Sequence, residues 1–202
     1  MPPRLTRALN FVLSWPEPPN VDALKGAMPI RDGPPVSSPE LALARAILHT
    51  NPRIEQANAL LLAIVTARAA RANGLPTELL GATLLQESAY DPRVMSSAGA
   101  IGIAQFMPDT AAGEGIDPWE PFQSIAGAAD LLGGYVRAYT DVYDDPYVTA
   151  LAAYNAGPAA VERYKGVPPY AETREYIDLI QERWAQIASY EAVAVTTKKP
   201  AR

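Results

Sequence analysis

Cysteine is absent from the 202 residues, which excludes disulfides, thiolate nucleophiles and zinc–thiolate sites. Histidine occurs once, at His49. One imidazole is too few for a multi-histidine metal site, and nothing near it supports a hydrolytic triad. Its place ahead of Thr50-Asn51-Pro52 reads as a polar residue in the last turn of a helix. No ligand cluster is visible, so no cofactor or metal dependence is expected. Basic residues are outnumbered, 17 Lys+Arg against 22 Asp+Glu, for a net charge of -5 and a sequence pI of about 4.9. That balance argues against nucleic-acid partners, whose binders are usually basic. No apolar run reaches the length of a membrane span. The opening "MPPRLTRALNFVLSWPEPP" places Arg4 and Arg7 before an apolar patch, Ala8 to Leu13, too short and interrupted for a signal peptide. Export is therefore expected to use another route or residues outside this chain. Strand signals are missing as well.

The residues present describe helices. Hydrophobic residues make up 49%, enough for one domain with a sizeable core. Eight of the twenty prolines fall within residues 1–38, where "WPEPP" and "RDGPPVSSP" read as an extended arm or linker. Helical grammar begins at "SSPELALARAILHT", with Ser38 as cap, Pro39 at the first position and an apolar face of Leu41, Ala44, Ile47 and Leu48. "NPRIEQANALLLAIVTARAARANG" repeats it, with Asn51 as cap, Pro52 as start and Gly74 as stop; its apolar density implies a central helix. "LPTELLGATLLQES" follows, with Thr77 as cap. Residues 89–107 lose all period and form a long loop of the kind that carries function. A short helix is expected from Pro108. A long helix crosses Gly133-Gly134, and a helix pair is broken at Gly157-Pro158. The last helix is amphipathic, with Tyr176, Ile177, Ile180, Trp184 and Ile187 at helical spacing. The tail "TTKKPAR" is expected to fray. The expectation is an all-α bundle of about seven to nine helices.

One stretch, "ATLLQESAYDP" (residues 82–92), poses a chemical question. Its apolar run ends in Glu87, in the last turn of a helix. The negative end of the helix dipole disfavours a second negative charge there. If Leu84 and the loop at Ile101–Met107 also cover the carboxyl, desolvation acts in the same direction. Both effects would keep it protonated near neutral pH, as a general acid for acetal cleavage requires. Taken alone, a helical glutamate is more often a solvated surface charge.

Its neighbours add to this. "ESAYDP", "SSAGAIGIAQFMPDTA", "ALAAYNAGPAAV" and "PPYAETREYI", in that order, resemble the blocks of the SLT family of lytic transglycosylases, relatives of goose-type lysozyme. The resemblance covers about Ala72 to Ile180, and its strength lies in four blocks in order with their Gly and Pro positions. It implies a compact lysozyme-like helical bundle with a substrate cleft over residues 39–190, motif core 72–180, between an arm (1–38) and a flexible tail (191–202). Carried over residue by residue, Glu87 stands at the catalytic acid/base and Ser88 completes a Glu-Ser pair. Ser96 matches a serine that holds an N-acetyl group, while Gln105 and Met107 line the cleft near the cleaved bond. Ala104 stands where the family often has Met. Tyr154 and Asn155 match a cleft wall facing Glu87, and Tyr170 and Glu172 match the last block.

Each residue also has a structural reading. Ser88 can cap the helix end, Ser96 can be a turn serine, Gln105 a solvated amide and Met107 a core gap-filler. Tyr154 can be core, Asn155 a helix-end residue and Glu172 a carboxylate favoured by the dipole of an early helical turn. Glycoside hydrolysis usually employs two carboxylates. The candidates after Glu87 are Asp91, Asp109, Glu114, Asp117 and Glu120, and none has an apolar setting like that of Glu87. The resemblance therefore implies a single-acid peptidoglycan lytic transglycosylase cleaving between N-acetylmuramic acid and N-acetylglucosamine and leaving 1,6-anhydro ends. A lysozyme-like hydrolase and a non-catalytic glycan-binding module stand as alternatives. The implied partner is the peptidoglycan glycan strand, the implied place the cell envelope, periplasm or exterior. A monomer is expected, and a cell-wall machinery partner is conceivable.

Overall fold

The computed structural model describes residues 36–196, with side chains placed through Tyr190; the expected arm, up to residue 35, and residues 197–202 of the tail lie outside the described residues. The fold is all-α. Helices α1 (Ser38–Thr50), α2 (Gln56–Ala72), α3 (Thr77–Ser88), α4 (Pro108–Glu114), α5 (Pro121–Tyr139), α6 (Pro146–Ala156), α7 (Pro158–Tyr164) and α8 (Ala171–Thr196) follow in order. Among the described residues the only β-type pairing is two isolated bridges, Met95 with Ile101 and Ile101 with Phe106.

Proline starts most of these helices. Pro39, Pro108, Pro121, Pro146 and Pro158 each occupy one of the first two positions, where the missing N–H costs nothing and the fixed φ suits the helix. Carboxylates finish two starts. Glu120 accepts from the Gln123 N–H of α5 at 2.7 Å, and Asp145 accepts from the Tyr147 and Val148 N–H groups of α6 at 3.0 Å each. Three expected caps sit elsewhere. The cap of α1 is Ser37 rather than Ser38, and Pro76 precedes α3, so Thr77 lies inside that helix and is buried. Asn51 does not start α2, which begins at Gln56. Instead Asn51 ends α1, its own N–H donating to the Ile47 carbonyl at 2.8 Å. Its side-chain Oδ1 accepts the Arg53 N–H at 3.3 Å in the turn that follows, which leaves the amide nitrogen for a longer reach.

Helix α3 is the hub. It packs against α1, α2, α5 and α8, and Leu79, Leu80 and Leu84 are fully buried. Burial of such side chains stabilises by about 2 kcal/mol each. This packing fixes both the axis of α3 and the depth at which its last turn emerges. Helix α5 is pressed onto the end of α2: a Cβ on Gly133 would stand 2.9 Å from the Asn73 Cβ, so only glycine permits that approach.

The segment 89–107 between α3 and α4 is ordered by its own backbone. Ile101 and Phe106 exchange N–H···O bonds of 3.0 and 3.1 Å, and Gly102 N–H reaches the Val94 carbonyl at 2.9 Å. Gly102 has φ +71, and a Cβ there would run into the Pro118 carbonyl oxygen. Both the left-handed backbone and the close approach demand glycine. Gly102→Ala is expected to cost about 2 kcal/mol or more. Urea unfolding would show this as a lowered midpoint at unchanged m-value; a midpoint within error of the parent would refute the constraint.

Candidate active site

The end of α3 is a strained junction held by distant partners. Ala89 and Tyr90 have φ of 51 and 62, a left-handed pair that side chains rarely tolerate. Ala89 N–H closes the helix on the Leu85 carbonyl at 3.1 Å. The Asn51 side-chain amide donates to the Ala89 carbonyl at 3.1 Å. Tyr90 is fully buried and its hydroxyl pairs with the Thr66 hydroxyl at 2.9 Å. Helices α1 and α2 thus pin the turn that aims Glu87.

Glu87 is half-buried, with its carboxyl set deep enough that desolvation dominates its titration. Burial raises its pKa from 4.5 to about 7, opposed by a hydrogen bond from Tyr176. That bond runs from the Tyr176 hydroxyl, on α8, to Glu87 Oε1 at 2.5 Å. Tyr176 is itself buried, and its phenol is held well above the ordinary range by burial and by the Glu87 charge. The phenol of Tyr154, on α6, is raised by burial, then by Glu87, then by Tyr135 of α5. Two phenols from two helices therefore bear on one carboxyl, and burial keeps both protonated. Beside Glu87, the Gln86 amide oxygen accepts from Arg183 Nε at 3.0 Å, fastening this turn to α8 a second time.

The loop forms the opposite wall, secured by hydroxyls. Ser88 Oγ donates to the Ile103 carbonyl at 2.8 Å. Tyr154 donates to the Ala104 carbonyl at 3.0 Å. The Ala104 N–H donates to the buried Ser124 hydroxyl at 3.3 Å. Ile103, Ala104 and Phe106 are buried, and the Phe106 and Tyr154 rings lie 6.5 Å apart.

The other sequence-derived positions have distinct environments. Ser96 accepts the Ala100 N–H at 3.0 Å and closes the tip of the loop. Gln105, at φ 49, donates to the Gly102 carbonyl at 2.9 Å. Met107 precedes α4 and is 44% exposed. Asn155 is exposed at the end of α6, where its Oδ1 accepts from the Thr173 hydroxyl at 2.8 Å. This bond ties the end of α6 to the first turn of α8, three residues before Tyr176 in the same helix. Tyr170 and Glu172 are exposed. Tyr170 meets the Tyr164 ring edge-on at 5.6 Å. Ser88 and Tyr154 thus join Glu87 through the loop wall, while Tyr170 has Tyr164 as its contact. Tyr176 and Thr173 were absent from the sequence-derived set. Tyr176 sat in an apolar helical stripe, where a tyrosine reads as core. The available signal was that a buried phenol needs a partner.

Three of the five second-carboxylate candidates serve local structure. Asp91 accepts from the Arg93 N–H at 2.9 Å and Asp117 from the Trp119 N–H at 3.0 Å, while Glu120 caps α5. Among the described residues no group of three or more His, Asp or Glu side chains is placed to hold a metal ion.

The transglycosylase SLT domain model matches residues 64–177, more than half of the chain, from the middle of α2 through Tyr176. The chain belongs to the SLT family. Among its relatives, a transglycosylase of Enterobacteria phage PRD1 is 38% identical over 84 residues, 41% of this chain and 30% of that one. Membrane-bound lytic murein transglycosylase F 1 of Alkalilimnicola ehrlichii is 32% identical over 126 residues, 57% of this chain and 26% of that one. This SLT domain chain therefore spans less than a third of the length of either. The fold is shared with the 70 kDa soluble lytic transglycosylase of Escherichia coli, at TM-score 0.57 and 22% identity, covering 75% of this chain and 29% of that one. An inactive Glu-to-Gln mutant of lytic transglycosylase Slt from Pseudomonas aeruginosa superposes at TM-score 0.52 and 24% identity, over 68% of this chain and 25% of that one.

The raised Glu87 value has a thermodynamic consequence. Between pH 4.5 and about 7 the native state holds a proton that the unfolded chain has released. The burial cost therefore grows as pH rises through this window and is complete above it. Glu87→Gln removes the charge and keeps the shape. The variant is expected to gain on the parent as pH rises, by up to about 3 kcal/mol at alkaline pH. Paired urea titrations on the acidic and alkaline sides of the window would measure this, and an unchanged difference would contradict it.

Proposed function

We propose that the chain is a peptidoglycan lytic transglycosylase that cleaves the MurNAc-β-1,4-GlcNAc bond with Glu87 as its single acid/base. The supporting observation is a carboxyl that burial keeps protonated to about pH 7 while a phenol hydrogen-bonds it. The same group must serve as acid and then as base. Burial favours the first role. The Tyr176 hydroxyl stabilises the carboxylate that forms once the proton has gone, which favours the second.

Glu87 gives its proton to the glycosidic oxygen as the bond to the anomeric carbon breaks. The substrate's N-acetyl oxygen supports the cationic carbon. The sugar's own 6-hydroxyl then attacks that carbon and returns a proton to Glu87, closing a 1,6-anhydro ring. No water is activated, so no second carboxylate is needed, in keeping with the local turn and cap roles of Asp91, Asp117 and Glu120. Around this centre Ser88 and Tyr154 hold the loop wall, and Ser96, Gln105 and Met107 line the path of the glycan. Asn155, Tyr170 and Glu172 belong to the far wall built from α6 and α8. The domain comprises residues 39–190. The substrate places the protein in the cell envelope, periplasm or exterior, acting as a monomer on glycan strands. Among the described residues no helix is long and apolar enough to cross a membrane.

Incubation with purified peptidoglycan followed by mass spectrometry tests the reading. The parent is expected to release fragments one water lighter than hydrolysis products, and Glu87→Gln to fold and lose at least about a thousandfold in rate, the range that removal of an essential acid/base entails. Hydrated reducing ends would identify a lysozyme-like hydrolase instead, and no release would leave a glycan-binding module. The pH–rate profile carries a second expectation. The lytic rate of the parent should fall as pH rises through about 7, because the acid must be protonated. In Tyr176→Phe the bond that lowers the Glu87 value is gone, so the alkaline limb should move to higher pH. A limb that stays in place or moves to lower pH would remove Tyr176 from this role.

A further inference from the structure

A row of tyrosines leads away from Glu87 along α5. Tyr135, Tyr139 and Tyr143 are spaced by four residues, so the first two share a helix face. The turn after the helix, where Tyr143 N–H bonds to the Tyr139 carbonyl at 3.1 Å, continues the row. Tyr135 and Tyr139 are stacked, with centroids 6.1 Å apart and planes 8° from parallel. Tyr139 and Tyr143 meet edge to face at 5.4 Å. All three rings are half-buried, each packing on the core and each still meeting solvent. The residues beside them, Ala138, Thr140, Asp141 and Val142, are exposed.

The row is continuous with the site. Tyr135, at its inner end, and Glu87 both lie within electrostatic reach of the Tyr154 phenol. At the outer end Glu162, on α7, lies close to Tyr139.

Such a surface has a chemical preference. Aromatic faces are electron-rich and attract the positive edges of C–H bonds. A β-1,4-linked pyranose offers a flat face of axial C–H groups, with hydroxyl and amide groups around its rim. Half-buried phenols with a carboxylate beside them match both features. A purely structural stripe would be served by leucine, which has no hydroxyl to keep solvated. Tyrosine also orders at low entropic cost because it has only two χ angles.

We propose that Tyr135, Tyr139 and Tyr143 form a stacking track for sugar residues of a β-1,4-linked N-acetylhexosamine chain, running outward from the bond addressed by Glu87. This inference rests on the glycan-cleaving reading of the same site. It implies that long strands bind better than short ones.

The test uses the full chain carrying Glu87→Gln, so that binding is read without cleavage. Chitin oligosaccharides, from the tetramer to the octamer, are titrated by calorimetry. The longer oligomers are expected to bind about tenfold more tightly than the shorter. Tyr139→Ala and Tyr143→Ala, each in the Glu87→Gln chain, are expected to abolish that gain and leave the tetramer affinity unchanged. Tyr139→Phe should keep the gain, because the ring face is retained. Thermal unfolding is followed in parallel, and Tyr143, which lies outside the helix, supplies the variant if Tyr139→Ala does not fold. Equal affinity for all lengths, alanine variants that keep the length preference, or a loss that is the same at every length would overturn the track. The lytic reading fails separately. A parent chain that prefers long oligomers yet releases nothing from peptidoglycan would keep the track and lose the transglycosylase. A chain that cleaves peptidoglycan without any length preference would do the reverse.

Discussion

The contact between the Tyr176 hydroxyl and the Glu87 carboxyl organises this molecule. It joins residues 89 positions apart and forms only when α3 and α8 lie side by side at the right depth. Everything that fixes those two helices serves it: the leucines of α3 set its axis, and the Arg183–Gln86 bond fastens α8 about two turns further along. Two opposed effects meet on one group. Burial penalises the charged carboxylate, and the phenol rewards it. A carboxyl in water would lose its proton far below neutral pH, and one buried with no donor would surrender it too reluctantly to serve as a base afterwards.

The second constraint is the left-handed pair Ala89–Tyr90. Each residue in such a conformation costs about 1 kcal/mol or more, and the cost is met by contacts from α1 and α2. The strain allows α3 to stop within one residue of Ser88 and the chain to turn back immediately, into the loop that Ser88 holds at the Ile103 carbonyl. A helix running on for another turn would carry the carboxyl's surroundings into continuous helix and leave no wall opposite it.

Much of this was legible in the sequence where the information was local. The apolar run ending at Glu87, the aperiodic segment 89–107 and the proline starts all depend on residues a few positions apart. The four ordered blocks pointed to the family that the SLT domain match establishes. Failures came where a residue works at long range. Asn51 precedes a proline and resembles a cap, yet its amide serves the Ala89 carbonyl 38 positions away. Tyr176 occupies an apolar stripe, and periodicity cannot distinguish a tyrosine that fills a core from one whose hydroxyl reaches a carboxyl. Tyr154 is named through the family resemblance, and its partner 50 positions back is likewise invisible to periodicity. Pattern reveals which side of a helix faces inward and is silent about which atom waits there.

The loop wall opposite Glu87 is built without ions. Ser88, Ser124 and Tyr154 hold Ile103 and Ala104 through hydroxyl and amide groups, and burial keeps the Tyr154 phenol protonated far above neutral pH. Between mildly acidic and mildly alkaline conditions none of these bonds gains or loses a proton, and neutral bonds are little affected by dissolved salt. The architecture of the cleft is therefore decoupled from the protonation of its acid. Within the site, a change of pH through the neutral range alters the protonation of Glu87 and leaves the neutral bonds that set the register of the wall intact.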